Sequence, residues 1–191
     1  MISGIVLAAG RATRFGSTKQ LATLGGKPLV QHAVNAAAGG GCGEVIVVLG
    51  HDADRVEAAL RLPPNARVVR NPSFAEGQST SLRAGLAGLS GDSEAAVILL
   101  ADQPGIEPTD VDAVIEGYRA TGAPVVRARF RGIPGHPVLL SRDLWPGAMA
   151  STGDAGAREL IAGHRDRVHH VDIDCDPPTD VDTPADLDPS R

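Results

Sequence analysis

Three groups of residues in this 191-residue sequence combine charge or close backbone approach in ways chemistry can use. The first is the run Ala9-Gly10-Arg11-Ala12-Thr13-Arg14-Phe15-Gly16-Ser17-Thr18-Lys19, which follows an apolar stretch at residues 5–8. Small residues let backbone N–H groups approach a polyphosphate, and Arg14 and Lys19 add cationic charge. The run matches neither GxGxxG nor the Walker A pattern. A flexible loop with solvated Arg and Lys is the competing reading.

The second group is a pair of aspartates. Asp102 directly follows the apolar residues 97–100, so it belongs at the carboxyl end of a central strand, where a carboxylate can hold Mg²⁺ against a phosphate. A solvated turn before Gln103-Pro104 would account for it equally simply. Asp182 lies in an acid-rich segment with Asp172, Asp174, Asp176, Asp180, Asp186 and Asp188, which by itself reads as a solvated acidic tail.

The third group is Gly132-Ile133-Pro134-Gly135-His136-Pro137, a well-defined loop in which His136 is either a ligand contact or a packed residue. Arg127, Arg129 and Arg131 alternate upstream, which places them on one face if the strand there persists that far, where they either receive an anion or line a solvated edge. Asp154, in Gly153-Asp154-Ala155-Gly156, reads first as a helix cap.

The elements that must position these groups alternate along the chain. Apolar, β-rich runs at 5–8, 45–49, 67–70, 96–100, 125–128, 136–140 and 168–171 predict strands. Between them, helix starts and stops predict helices over 28–38, from 51–52 to before Pro63, and over 79–89, 108–120 and 154–162. The βαβα order predicts a single domain over 1–191: an α/β, three-layer, mostly parallel Rossmann-like sheet with helices on both faces. The strand at 136–140 follows a loop with no intervening helix, which favours an antiparallel strand there. In such a sheet ligands bind beyond the strands' carboxyl ends.

Composition narrows the function classes. A formal charge of −5 argues against affinity resting on general attraction to nucleic acid or anionic lipid. No stretch approaches the roughly 20 apolar residues of a membrane span, and the start lacks a signal-peptide pattern, so the cytoplasm is expected. Cys42 and Cys175 stand far apart without a zinc-ligand spacing and read as ordinary buried or partly buried thiols. Disorder is expected only from about residue 187.

The segments LAAG, RFG and KQL after an N-terminal strand resemble the nucleotidyltransferases that join a nucleoside monophosphate to a phosphorylated acceptor. With NPSFAEGQSTS, ADQP, GIPGHP and DVDTPAD in the same order over nearly the whole chain, the sequence is similar to the molybdopterin nucleotidyltransferases, the molybdenum cofactor cytidylyltransferases above all. The resemblance implies the nucleotide-diphospho-sugar transferase type of sheet. It implies Mg²⁺ on Asp102 and Asp182, with Asp180 the weaker candidate, and catalysis by Arg14, Lys19 and Asp102. It also implies a nucleotide held by Leu7, Ala8, Ala9, Gly10, Arg14, Lys19, Asn71, Gly77 and Ser79, and an acceptor at Gly135 and His136. Ala9, where GTP-using relatives have a second glycine, leans the nucleotide towards CTP. The acceptor would be molybdopterin or its metal-loaded form, with the product passing to a molybdoenzyme or its chaperone. Transfer to another phosphorylated acceptor, an NAD(P)H-dependent reductase and a non-catalytic binding module are the rival readings.

Overall fold

The structure, a computed structural model, describes residues 1–11, 15–155 and 157–187. Its centre is β1 (Ile2–Ala8), flanked in parallel by β4 (Glu44–Leu49) and β6 (Ala95–Leu100), whose side chains are almost all buried. Apolar residues on both faces of such strands require a layer of helices on each side.

Beyond β4 lies β5 (Ala66–Arg70), and beyond β6 come β8 (Ile133–Ser141), β7 (Val125–Phe130) and β9 (Val168–Ile173), giving the order β5-β4-β1-β6-β8-β7-β9. All neighbours are parallel except β8, which runs antiparallel to both β6 and β7. One face is covered by α1 (Leu29–Gly39), α2 (Ala53–Ala59) and α4 (Pro108–Thr121) over Val6, Val47, Val97 and Val126. The other is covered by α3 (Gln78–Gly88), α5 (Trp145–Ala150) and α6 (Arg158–Gly163) over Ile5, Ile46, Ile98 and Leu140. This is the three-layer α/β sheet the apolar alternation predicts. No helix among the described residues is long and apolar enough to cross a membrane.

Several boundaries differ from the sequence expectation. Residues 133–135 are not a loop but the start of β8. The reversal is the two-residue turn Arg131-Gly132, with φ of 44° and 87°, whose twist suits a tight hairpin. The helix α2 does stop before Pro63 as expected, ending at Ala59 where Leu60 turns extended. The helix expected over 154–162 is a 3-10 turn at Gly153–Ala155 followed by α6, and no side-chain cap forms at α6. Two elements have no counterpart in the sequence reading: the small hairpin of β2 (Thr23–Leu24) and β3 (Lys27–Pro28), too short to show periodicity, and α5. Pro146 sits in the first turn of α5, where a missing N–H costs nothing.

Both cysteines are free. Burial pushes the Cys42 thiol up to about 12, whereas Cys175 is exposed rather than part-buried. The expectation for the chain end from about 187 falls largely on residues 188–191, outside the described ones.

Candidate nucleotide and metal site

The strand order reverses direction between β1 and β6: β1 leads outward to β4 and β5 on one side, and β6 begins the other half. That switch point opens a crevice beyond the strand ends. A cleft of about 390 Å³ sits there. Of the residues expected to hold nucleotide, Leu7, Ala8, Ala9, Gly10, Lys19 and Gly77 line it, and so does Asp102. Arg14 lies outside the described residues.

The loop after β1 is held from several sides. Gln20 donates from Nε2 to the carbonyls of Ala8 (3.1 Å) and Gly10 (2.8 Å), so its own amide orientation is settled by two acceptors. The Ala9 carbonyl accepts from the His51 N–H at 3.1 Å. Thr18 donates its hydroxyl to Asp52, and this bond, with Arg55 at 2.9 Å, holds the Asp52 carboxyl below its ordinary range. Gly50 lies against both sides of this junction: a Cβ there would stand 2.6 Å from Phe74 Cβ and 2.8 Å from the Ala9 carbonyl oxygen.

Opposite the loop, Phe74, Ala75, Gly77 and Gln78 form the second wall. Phe74 and Gln20 were not singled out from sequence. Phe74 sits in a chain poor in aromatics, with the Arg11 guanidinium 5.3 Å from its ring centroid, and Gln20 adjoins Lys19 in the motif, the one signal that marked it. Asn71 and Ser79 are near the cleft without lining it. Asn71 is a buried bracket behind the wall, donating to the Thr80 and Ser81 hydroxyls at 2.8 and 3.0 Å and accepting from the Ser73 N–H at 3.0 Å. Ser79, fully buried in the first turn of α3, has an Oγ without a hydrogen-bond partner.

Gly77 has φ 116°, and a Cβ would fall 2.4 Å from the carbonyl carbon of Gly153, where the 153–155 turn crosses the entry to α3. The crossing brings Asp154 into the cleft lining instead of leaving it a cap. Gly77→Ala should therefore cost about 2 kcal/mol or more of stability, since it meets both backbone strain and backbone atoms that cannot move aside. Thermal unfolding reads this loss directly.

At the inner end of the cleft Lys19 Nζ lies 2.9 Å from Asp102 Oδ2 and 3.2 Å from Asp182 Oδ1. The C-terminal segment is brought there by Val181, which is buried with Phe15 and Leu29 and donates its N–H to the Asp102 carbonyl at 2.9 Å. Asp186 accepts from the backbone N–H groups of Asp182 (3.0 Å) and Thr183 (2.7 Å), fixing the turn that presents Asp182. The remaining acids go elsewhere: Asp172 pairs with Arg129 at 2.5 and 2.7 Å, and Asp174 and Asp176 with Arg131. Arg127 is tied to the carbonyls of Gly135 and Pro134 at 3.1 Å each. The three alternating arginines are thus committed to β9, to the segment just after it and to the hairpin, not to a ligand.

These residues fit a divalent ion. The Lys19 ammonium already bridges the two carboxylates as a cation would, and Asp102 Oδ1 is buried with no hydrogen-bond partner. No group of three or more His, Cys, Asp or Glu gathers for a metal among the described residues. Two carboxylates suit a hard ion such as Mg²⁺, whose shell is completed by phosphate and water.

Gly135 and His136 stand on β8, beside β6. The half-buried His136 ring is pushed down to about 4, by burial first and by Arg127 second, against the pull of the Asp102 carboxylate. It is neutral at pH 7. Because the unfolded chain takes that proton near pH 6.5 and the folded one only near 4, the associated stability is complete above pH 6.5 and erodes as pH falls towards 4. His136→Gln should remove of order 2 kcal/mol of the difference between urea unfolding at pH 7.5 and 4.5.

Residues 4–170 match the MobA-like NTP transferase domain. The chain belongs to that family. Within it, the chain is 35% identical to nicotine blue oxidoreductase of Paenarthrobacter nicotinovorans, over 98% of this chain and 92% of that protein. The crystal structure of Rv0371c from Mycobacterium tuberculosis H37Rv superposes with a TM-score of 0.86 at 31% identity, covering 97% of this chain and 94% of that one. The same protein in complex with manganese gives 0.81 at 30% identity, with the same two coverages. The bifunctional protein GlmU of Methylibium petroleiphilum is 34% identical over 63% of this chain, which spans only 27% of that protein's length. The MobA-like fold and membership of the nucleotidyltransferase superfamily are therefore established.

Proposed function

We propose that this MobA-like chain transfers CMP from CTP to the terminal phosphate of a phosphorylated small molecule, molybdopterin or its metal-loaded form in the first place, and releases pyrophosphate. The observation that carries the reading is the meeting of Lys19, Asp102 and Asp182 at the inner end of a cleft walled by the loop after β1. An acceptor phosphate oxygen attacks the α-phosphorus in line. A new P–O bond forms as the bond to the β-phosphate oxygen breaks, and pyrophosphate carries away the electron pair.

The chain's own residues hold and neutralise. Backbone at Ala8, Ala9 and Gly10, stiffened by Gln20, receives the nucleotide, while Lys19 sets positive charge beside the phosphates. Mg²⁺ on Asp102 and Asp182, when bound, supplies further positive charge to the triphosphate. Gly135 and neutral His136, which faces Asp102 electrostatically, border the acceptor side. Arg14 is proposed as a further cation on the triphosphate.

Pyrophosphate release with CTP, GTP, UTP or ATP, each with Mg²⁺ and with molybdopterin or alternative phosphorylated acceptors, tests the reading. Turnover with CTP and molybdopterin is expected. Release only with a non-pterin acceptor would overturn the acceptor, and release only with GTP the nucleotide. The similarity to nicotine blue oxidoreductase favours one rival, reduction by NAD(P)H. Loss of nicotinamide absorbance without pyrophosphate release would establish it instead.

A further inference from the structure

The two carboxylates at the inner end of the cleft come from segments far apart in sequence, the turn after β6 and the C-terminal strap that follows β9. Among the described residues these segments are joined at three points. Val181 donates its N–H to the Asp102 carbonyl at 2.9 Å, and Pro178 packs at Gly105, where a Cβ would stand 3.4 Å from Pro178 Cβ. The remaining point is the one made by side chains: Gln103 donates from Nε2 to Asp180 Oδ1 at 2.7 Å.

Gln103 is the immediate neighbour of Asp102 and is buried, whereas Asp180, two residues before Asp182, is exposed. The acceptor is a carboxylate oxygen, so the Gln103 amide must turn its NH₂ towards it. A charge-assisted bond of this kind is stronger than a neutral one. Gln103 Oε1, buried on the other side, has no hydrogen-bond partner. Burying that oxygen unpaired is unfavourable, and the orientation is retained because the NH₂ holds the strap. No other side-chain hydrogen bond runs between the two segments among those described.

We infer that the Gln103–Asp180 pair is a latch that sets the register of the C-terminal strap, so that Asp182 faces Asp102 across the place of a divalent ion. Gln103 and Asp180 are positioning residues: neither touches the nucleotide or the ion, and both act through Asp182. Without the latch, only Val181 and the Pro178 contact would hold the strap, and the residues beside them would be free to turn, so that Asp182 would no longer be kept facing Asp102. The inference rests on the reading of Asp102 and Asp182 as the ion's ligands.

The test measures Mn²⁺ binding to the whole chain by electron paramagnetic resonance, which needs neither acceptor nor turnover, alongside thermal unfolding. Loss of the donor in Gln103→Ala should weaken Mn²⁺ binding about 10- to 100-fold, the usual effect of losing an outer partner of a metal site. Asp180→Ala, at an exposed position that leaves folding intact, should do the same. Asp180→Asn keeps an acceptor oxygen and should bind nearly as wild type. Gln103→Glu, facing Asp180, should bind worst.

The swapped pair, Gln103→Glu with Asp180→Asn, restores a donor facing an acceptor with the polarity reversed, and should recover binding to within about threefold of wild type. Wild-type binding in both Gln103→Ala and Asp180→Ala, or a double variant no better than Gln103→Glu alone, would overturn the latch while leaving the ion site standing. Failure of the ion assignment shows separately, as Mn²⁺ binding that survives Asp102→Ala.

Discussion

Asp102→Ala should lower nucleotidyl transfer by about a thousandfold while the protein stays folded. The size follows from removing one pre-set electrostatic contact at the centre of charge development, at the upper end of what such contacts contribute. The fold should persist because the Asp102 backbone, not its side chain, receives the Val181 N–H, and because Lys19 keeps Asp182 as a partner at 3.2 Å. Removing the carboxylate also removes Oδ1, a buried oxygen without a partner, which offsets part of the lost ion pair. Pyrophosphate release under saturating Mg²⁺, with thermal unfolding on the same samples, checks both halves. Turnover within tenfold of wild type would sink the assignment of Asp102 to the ion.

Lys19→Met should separate two properties that Asp102→Ala removes together. Transfer should fall by about 100- to 1,000-fold, since the ammonium beside the phosphates is gone. Binding of Mn²⁺ or Mg²⁺ without nucleotide should hold or tighten, because the ammonium that neutralises Asp102 and Asp182 no longer competes with the ion. Methionine keeps the apolar stem, so packing changes little. Without metal the two carboxylates lose their shared counter-charge, and this variant should unfold at a lower temperature than wild type. Added Mg²⁺ should then raise its melting temperature more steeply than that of wild type, as expected when a ligand binds only the native state. A melting temperature indifferent to Mg²⁺ would mean that the ammonium does not stand where the ion binds.

Much of the frame is written locally. Runs such as Val45 to Leu49 and Ala95 to Leu100 cannot avoid burial, so they form central strands wherever the chain takes them. Asp102 was legible for the same reason, since it stands just beyond such a run at the end where an α/β sheet opens, and Lys19 because it adds charge to the loop of small residues that follows another. The short helix α5 was not legible, since its six residues include Pro146, which suits only a helix's first turn. Arg127 and Arg129 stand on β7 as their alternation predicts, but the strand ends at Phe130 and leaves Arg131 in the turn, and nothing in the alternation says that Arg129 would meet Asp172 or that Arg131 would meet Asp174 and Asp176.

That distinction runs through the site. The sequence alone determined the sheet's strands, the small basic loop after the first of them and the carboxylate after the fourth long one, because burial and turn chemistry act on neighbouring residues. The residues by themselves did not single out the acid of the C-terminal segment that joins Asp102; the resemblance pointed to Asp182, and the tertiary structure brings it to Lys19. Val181 must find the pocket of Phe15 and Leu29 before Asp182 can face Lys19, and Asp172, Asp174 and Asp176 must be drawn off by Arg129 and Arg131. The tertiary structure likewise revealed Gln20, which reaches back to Ala8 and Gly10, and Phe74 and Gln103, whose partners Arg11 and Asp180 stand on segments distant in sequence. Those long-range pairings have no period in the sequence to announce them.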